Sequence, residues 1–250
     1  MSPVTLVTGA SAGLGAEFAR QCARRGDKLV LVARRRERLD ALAAEIGGAH
    51  VIAADLAAPD AAAGLVAEVE GLGLTVDILI NNAGYGLTGK FASLPLEGQL
   101  GMVDLNVRTL TDLARLVVPG MIERRRGGIL NVASTAAFQP GPGFAVYFAT
   151  KAYVLSLSEA LHQELKGTGV SVSTLCPGPT RTEFGSVAGM TGKNFDRLAA
   201  DTPGVVAAGL RGLERNKAVV VPGLTNKISA QSSRLIPRAA MRRIVASLKL

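Results

Sequence analysis

The sequence predicts an α/β fold: a doubly wound parallel sheet with helices on both faces. Short apolar, β-branched segments alternate along the chain with stretches of helical periodicity. Most of these segments are continuously apolar, as expected for strands that helices cover on both faces. No internal repeat and no linker rich in proline, glycine or serine interrupts the 250 residues. Residues 1–250 are therefore predicted to form one domain with ligands at the carboxyl ends of its strands.

Seven strands and six helices follow from this pattern. The strands are predicted at Val4–Thr8, Lys28–Ala33, His50–Ala53, Asp77–Asn81, Gly128–Ala133, Val170–Leu175 and Ala218–Val221. The helices are predicted at Leu14–Arg25, Arg36–Ile46, Asp60–Glu70, Pro95–Val118, Tyr147–Lys166 and Pro203–Arg215.

Composition narrows the class of protein. The formal net charge is +8, but the basic residues are dispersed and there is no tryptophan, so no nucleic-acid partner is expected. Cys22 and Cys176 lie far apart and outside any Cys-x-x-Cys pair, which predicts buried reduced thiols rather than a metal site. There is no long apolar run typical of a membrane span, and the first residues do not resemble a secretory signal. These observations predict a cytoplasmic protein.

A glycine-rich turn follows the first predicted strand and opens the first helix. It reads Thr-Gly-Ala-Ser-Ala-Gly-Leu-Gly over residues 8–15, with the spacing Gly-x-x-x-Gly-x-Gly. Glycines allow a tight turn and a close backbone approach, and a helix N-terminus attracts a pyrophosphate. The pattern predicts a dinucleotide site, although a βα turn with incidental glycines would look the same.

The end of the second strand indicates which dinucleotide binds. NAD sites commonly carry an acidic residue there, whereas NADP sites carry an arginine. Here Arg34, Arg35 and Arg36 follow the strand, and the first carboxylate is Glu37. Since arginine can bind a 2′-phosphate bidentately, Arg34 and Arg35 predict NADP(H), while Arg36 also fits the solvated start of a helix.

Tyr147 and Lys151 lie one helical turn apart in the segment Tyr-Phe-Ala-Thr-Lys. A free phenol has a pKa of about 10 and is a poor base at neutral pH. An ammonium four residues on lies on the same helix face and favours the phenolate. The pair is a candidate proton-transfer site, although the same pattern also occurs on solvated helix faces.

Two segments depart from the alternation of strands and helices. Residues 180–202 follow a strand without strong periodicity and are predicted to be a substrate lid. Residues 217–250 hold seven basic residues and no acidic one, and residues 228–250 form a basic C-terminal extension. One face of a terminal helix there is predicted to carry Leu235, Ile236, Met241, Ile244, Val245 and Leu248. That face either packs on the body or on another subunit, or docks on an anionic membrane; packing is favoured.

Together these motifs resemble the short-chain dehydrogenase/reductase family. The resemblance is carried by the glycine-rich turn, Asn81-Asn82-Ala83-Gly84, Asn106, Ser134, Tyr147 with Lys151, Asp55 after the third strand and Pro177-Gly178 after the sixth. It extends from the first strand to about Val221, and no catalytic position departs from the family pattern.

The resemblance implies a Rossmann-type domain with a seven-stranded parallel sheet and an active site above the fourth and fifth strands. It implies that the pyrophosphate and adenosine ribose are surrounded by Gly9, Ser11, Ala12, Gly13, Leu14 and Gly15. Asp55 and Leu56 are expected to border the adenine, and Asn82, Ala83 and Gly84 to lie beside the ribose. The nicotinamide end is expected to contact Pro177, Gly178, Thr180 and Thr182, although each of these also fits a strand-end turn or cap.

The resemblance also implies four catalytic residues. Tyr147 would donate a proton to a carbonyl or accept one from an alcohol. Lys151 would lower the pKa of Tyr147 and bind the nicotinamide ribose, and Ser134 would orient the substrate oxygen. Asn106, a poor helix former, would hold a water for proton relay.

Three functions remain open from the sequence. The first is an NADP-dependent carbonyl reductase or alcohol dehydrogenase with a ketone, aldehyde or acyl-type substrate, whose pocket is shaped by residues 181–201. The second is a non-catalytic NADP-binding regulator, and the third is a reductase that docks on a membrane through its basic tail. A homodimer or homotetramer through the helices Pro95–Val118 and Tyr147–Lys166 is expected from the family.

Overall fold

All seven strands pair in parallel in one sheet, in the order β3-β2-β1-β4-β5-β6-β7. The computed structural model describes residues 2–190, 199–233 and 235–247. The strands are β1 Val4–Thr8, β2 Lys28–Ala33, β3 His50–Ala53, β4 Ile78–Asn81, β5 Gly127–Val132, β6 Val170–Leu175 and β7 Val219–Val220. The strand order reverses between β1 and β4, and such a switch point opens a ligand crevice at the carboxyl ends of the strands. The predicted fold class is confirmed.

Helices connect the strands and cover both faces of the sheet. They are α1 Gly13–Arg24, α2 Arg36–Glu45, α3 Ala61–Gly71, α4 Leu96–Val103, α5 Leu110–Glu123, α6 Ala145–Glu164, α7 Phe184–Val187, α8 Thr202–Glu214, α9 Leu224–Ser232 and α10 Arg238–Ser247. A π-helical segment, Asp104–Thr109, joins α4 to α5, and a 3₁₀ turn, Thr135–Phe138, follows β5.

Successive residues of each central strand face opposite layers, which explains why apolar residues stand at neighbouring positions in these strands instead of alternating strictly with polar ones. In β1, Leu6 packs with residues of α3 and α5, whereas Val7 packs with residues of α1, α2 and α8. In β2, Val30 packs in the same layer as Leu6, and Leu31 packs in the same layer as Val7. A strand covered on both faces has no solvent side, so its few polar residues, such as Thr5 and Thr8, are buried and hydrogen-bonded.

Most element boundaries shift from the predictions by one or two residues, α7 was not predicted, and three other elements differ more clearly. The helix predicted at Pro95–Val118 is interrupted by the π-helical segment and then runs past Pro119 to Glu123. The last strand is shorter than Ala218–Val221, and α9 was not predicted. Helical periodicity does not distinguish a π-helical turn from an α-helical one, so the interruption was not visible in the sequence.

The C-terminal helix α10 packs inward through half of its predicted apolar face. Met241 and Val245 are buried in a cluster that also contains Tyr147, and Ile236 packs against it. Leu235 and Ile244 are exposed, and Leu248 lies outside the described residues. Packing on the body therefore accounts for the inner part of this face.

None of the helices in the described ranges combines the length and apolar character that a bilayer crossing requires. The same ranges contain no group of three or more histidine, cysteine, aspartate or glutamate side chains arranged to hold a metal ion.

Candidate active site

A cavity of about 470 Å³ lies at the carboxyl ends of the strands. Among the residues predicted to form the site, all except Gly15 and Asn106 line this cavity. Residues from the glycine-rich turn, from the ends of β2 and β3, and from the segment after β6 therefore meet in one place. The fold brings together groups that lie more than 160 positions apart in the chain, from Gly9 to Thr182.

The glycine-rich turn has the backbone shape that a pyrophosphate needs. Gly9 and Gly13 adopt the left-handed conformation, with φ of 66° and 55°. A Cβ atom at Gly15 would lie 2.1 Å from the carbonyl oxygen of Gly9, so only glycine fits there. Ala12 begins α1 without a side-chain cap, which leaves amides of the first turn open to an anion. These features fit a dinucleotide.

Asn82 fixes this turn from the neighbouring strand. Its Nδ2 donates to the carbonyl oxygen of Thr8 at 2.9 Å, and its backbone amide donates to Thr8 Oγ1 at 3.0 Å. The side chain predicted to lie beside the ribose thus holds the end of β1 against the end of β4. Asn82 lines the cavity, but its side-chain amide is hydrogen-bonded to the protein backbone.

Arg35 is the arginine that reaches the glycine-rich turn. Its Nη2 and Nε lie 3.1 and 3.3 Å from Ser11 Oγ, while Arg34 also lines the cavity. On the other side, Asp55 after β3 accepts the backbone amide of Ala57 at 3.1 Å. The cationic end of β2 fits a 2′-phosphate, because an arginine there can bind it bidentately.

Tyr147 and Lys151 lie on the inner face of α6, and both side chains are buried. Lys151 Nζ donates to the carbonyl oxygen of Val132 at 2.8 Å and lies 5.8 Å from the centre of the Tyr147 ring. Gly84 leaves room between the groups: a Cβ atom there would lie 2.9 Å from Asn106 Oδ1 and 3.4 Å from Lys151 Nζ. Asn106 and Lys151 thus meet beside Gly84. Lys151 also lines the cavity, together with Tyr147 and Ser134.

The pKa of Tyr147 shifts in the direction opposite to the prediction. Burial raises the pKa of the phenol to about 12, and the neighbouring Ser134 hydroxyl only opposes that rise. Burial lowers the pKa of Lys151 to about 8. Without the positive charge of an oxidised nicotinamide nearby, Tyr147 is a protonated acid at neutral pH.

Asn106 is buried in the π-helical segment, and its amide is already bonded. Its Nδ2 donates to the Tyr85 carbonyl at 2.9 Å and to Thr150 Oγ1 at 3.1 Å, and its Oδ1 accepts the Tyr85 amide at 3.1 Å. Both N–H donors of the side chain are used. Its side chain therefore holds the loop after β4 that carries Gly84 and Tyr85, and a relay water could use only its second Oδ1 lone pair or its backbone.

Ser134 caps the 3₁₀ turn after β5. Its Oγ accepts the backbone amide of Ala136 at 3.1 Å. Because that contact uses only one lone pair, the hydroxyl can still donate to a substrate oxygen.

The two threonines predicted at the nicotinamide end use their hydroxyls in hydrogen bonds to the nearby backbone. Thr180 Oγ1 donates to the Gly178 carbonyl at 2.9 Å, and Thr182 Oγ1 accepts the amide of Phe184 at 3.2 Å. Thr180 also pairs with Ala200 in a short parallel bridge, which closes the base of the segment predicted as a lid.

Several site residues were not predicted from the sequence. Phe144 stacks on the Tyr147 ring with centroids 4.5 Å apart, whereas Phe184, which approaches the ring to 5.2 Å, belongs to the predicted pocket segment 181–201. Val245 lines the cavity from α10. Phe144 lies one turn before Tyr147 on the same helical face, so spacing could have indicated it; nothing in the sequence places Val245 there.

Comparison with known proteins matches this geometry to one family. The sequence profile described as short chain dehydrogenase matches residues 3–190. An NADP-dependent 3-hydroxy acid dehydrogenase from Salmonella typhi is 39% identical over 209 residues, covering 80% of this chain and 84% of that protein. A short-chain dehydrogenase from Sphingobium yanoikuyae, solved in complex with NADPH, superimposes with a TM-score of 0.83 at 38% identity, covering 93% of each chain. The bulky-bulky ketone specific alcohol dehydrogenase from Comamonas testosteroni superimposes with a TM-score of 0.79 at 33% identity, covering 95% of this chain and 96% of that one.

Proposed function

Because this chain belongs to the short-chain dehydrogenase/reductase family and transfers hydride between NADP(H) and a carbonyl or alcohol substrate, we propose that it reduces bulky, apolar ketones. The observation that carries this proposal is the apolar wall around Tyr147. Phe144 and Phe184 pack directly on its ring. The same cavity is lined farther out by Phe148, Val187, Met190 and Val245.

The charges that line the cavity support an uncharged substrate. Arg34 and Arg35 stand at the end of β2, and Arg35 is paired with Glu183. Lys151 donates to the Val132 carbonyl. Within the described residues, these three are the cations that line the cavity, and none belongs to the apolar wall. Among the described lining residues, a substrate carboxylate, such as that of a 3-hydroxy acid, would meet no cation in the apolar wall.

We propose that the chemistry runs as a reduction through Tyr147. With a pKa raised to about 12, the buried phenol holds its proton at neutral pH and can donate it to a ketone oxygen. The Ser134 hydroxyl would orient that oxygen, and NADPH, when bound, supplies the hydride. Asn106 would hold the loop after β4, which includes Gly84, beside Lys151 rather than touch the substrate.

Lys151 would take a second role in this scheme. Its Nζ is held by the Val132 carbonyl at 2.8 Å, at the end of the strand that precedes Ser134. An ammonium fixed there would contact the nicotinamide ribose and stabilise the phenolate that remains after proton donation. The residues in these roles are the four predicted ones: Asn106, Ser134, Tyr147 and Lys151.

The segment 180–202 is proposed to act as the substrate lid. It contributes Phe184, Val187 and Met190 to the cavity, and the Thr180–Ala200 bridge ties its two ends together. Lys193, Phe195 and Arg197, which the sequence also assigned to the substrate pocket, lie outside the described residues. The basic extension 228–250 would complete the pocket by placing Val245 against the lid.

Val245→Phe tests the apolar wall. The larger ring would fill the cavity next to Tyr147, so we expect kcat/KM for a diaryl ketone to fall by about tenfold or more. NADPH affinity should stay within about twofold, because Val245 does not line the glycine-rich turn. Steady-state NADPH oxidation measures the first quantity and cofactor fluorescence the second.

Ile244→Phe is the matched control, since Ile244 is the adjacent residue of α10 and is 46% exposed. Its kcat/KM should not change. Equal rates for the wild type and Val245→Phe, or faster turnover of a 3-oxo acid than of a diaryl ketone, would contradict the proposed substrate class.

We propose that the enzyme forms a homodimer or homotetramer through α4, α5 and α6. Leu96, Leu100 and Val103 lie along one face of α4 and are 68%, 53% and 40% exposed. Leu116 on α5 and Tyr153 on α6 are also exposed. Apolar side chains in contiguous patches favour association. Light scattering should give a mass of two or four chains, and a monomer at micromolar concentration would contradict this.

We place the protein in the cytoplasm on the basis of its two thiols. Cys22 and Cys176 are buried and not disulfide-bonded, and burial raises the pKa of each thiol to about 12. Such cysteines resist oxidation and are typical of a reducing compartment.

A further inference from the structure

Glu183, in the lid segment, lines the cavity, and its carboxylate pairs with two arginines that follow β2. Glu183 Oε2 lies 2.9 Å from Arg35 Nη1, and Glu183 Oε1 lies 2.5 Å from Arg38 Nη1. The two arginines follow β2, whereas Glu183 follows β6, so the contact joins segments that are about 145 positions apart in the chain. The backbone of Glu183 is fixed at the start of α7, where its carbonyl accepts the amide of Val187 at 3.0 Å.

The residue before Glu183 rests on the glycine-rich turn. A Cβ atom built at Gly13 would lie 3.0 Å from the Thr182 side chain. The residue after it, Phe184, packs on the Tyr147 ring. Glu183 therefore lies between the apolar wall around Tyr147 and the arginines that follow β2. The hydrogen bonds from Arg38 and Arg35 lower the pKa of Glu183, so the carboxylate is ionised at neutral pH.

Arg35 is the arginine expected to meet a 2′-phosphate. It lies at the end of the second strand, where NADP sites place this residue, and its guanidinium contacts Ser11 of the turn. A phosphate beside Ser11 and the carboxylate of Glu183 would share one guanidinium and repel each other. NADH has no 2′-phosphate, so it would not meet this competition.

We infer that Glu183 sets the cofactor preference as a competing anion: its carboxylate occupies Arg35 and must yield that guanidinium to the 2′-phosphate of NADP(H). Arg38 then retains Glu183 while Arg35 turns to the phosphate. The competition limits the affinity for NADP(H) and speeds release of the oxidised cofactor after turnover.

Glu183→Gln tests this inference, because glutamine keeps the size and still accepts a hydrogen bond from Arg38 but removes the charge. We expect NADPH to bind about twofold to fivefold more tightly, as for the loss of one half-exposed ionic competitor. NADH affinity should change by less than about twofold. Dissociation constants from cofactor fluorescence give both values without turnover, so the result is independent of the proposed substrate class.

Two further variants keep the test decisive. Glu37→Gln removes one negative charge from the same helix as Arg38 and should leave both affinities unchanged, which controls for net charge. In an Arg35→Ala background, Glu183→Gln should lose its effect on NADPH. If Glu183→Gln weakens NADPH, or shifts NADPH and NADH equally, Glu183 positions the lid instead and the inference is wrong.

Discussion

Tyr147→Phe is expected to lower kcat for ketone reduction by about 10²- to 10⁴-fold, the usual contribution of a positioned proton donor. The substitution removes only the hydroxyl, and the stacked contact with Phe144 at 4.5 Å remains available to phenylalanine. NADPH affinity and thermal stability should therefore stay close to wild type. Stopped-flow NADPH oxidation measures the loss, and cofactor fluorescence shows that the groove is intact.

Tyr153→Phe is the matched control for this result. Tyr153 lies on the same helix α6, is 40% exposed, and shares a hydrogen bond of 3.0 Å with Thr111. Its hydroxyl lies outside the cavity, so turnover should be unchanged. Substantial activity in Tyr147→Phe would mean that the proton comes from another group, and the role assigned to Tyr147 would be wrong.

Gly15→Ala is expected to have the largest effect on cofactor binding. The added methyl group would lie 2.1 Å from the Gly9 carbonyl oxygen and 2.6 Å from Asn82 Nδ2. Backbone atoms cannot yield as a flexible side chain does, so the whole turn must shift. We expect NADPH to bind at least about tenfold more weakly and the free energy of unfolding to fall by about 1–3 kcal/mol.

Gly64→Ala provides the control, because Gly64 lies inside α3 with nothing within 4 Å of the added Cβ. Replacing a helical glycine with alanine should stabilise the fold by about 0.5–1 kcal/mol and leave NADPH affinity unchanged. Chemical denaturation and fluorescence titration measure the two quantities. Wild-type NADPH affinity in Gly15→Ala would show that the turn does not hold the cofactor.

Much of the fold was predictable because its physical signals are local. Strands covered on both faces, such as β1 and β2, must be apolar at successive positions, and Leu6 and Val7 indeed face opposite layers. The glycine-rich turn was recognisable because Gly9, Gly13 and Gly15 meet backbone constraints that other residues cannot meet. The pairing of Tyr147 with Lys151 was visible because four residues make about one turn of helix.

Other features depend on the tertiary environment and left no local signal. The pKa of Tyr147 rises because the phenol is buried, and spacing along a helix does not reveal burial. Asn106 is hydrogen-bonded to Tyr85 and to Thr150, and these two residues belong to different parts of the fold. Glu183 meets Arg35 only after β2 and β6 have taken their places in the sheet. Such contacts are set by the order of strands rather than by neighbouring residues.

The most direct test of the proposed function is a single-turnover reaction of the NADPH-loaded protein with a diaryl ketone. Tyr147 is a protonated phenol inside an apolar wall, so NADPH absorbance should decay and one alcohol should form per cofactor consumed. The decay should be lost in Tyr147→Phe. Tight NADPH binding with no cofactor consumption, across diaryl ketones, aldehydes and acyl thioesters, would contradict a ketone reductase and instead indicate a protein that only binds NADP(H).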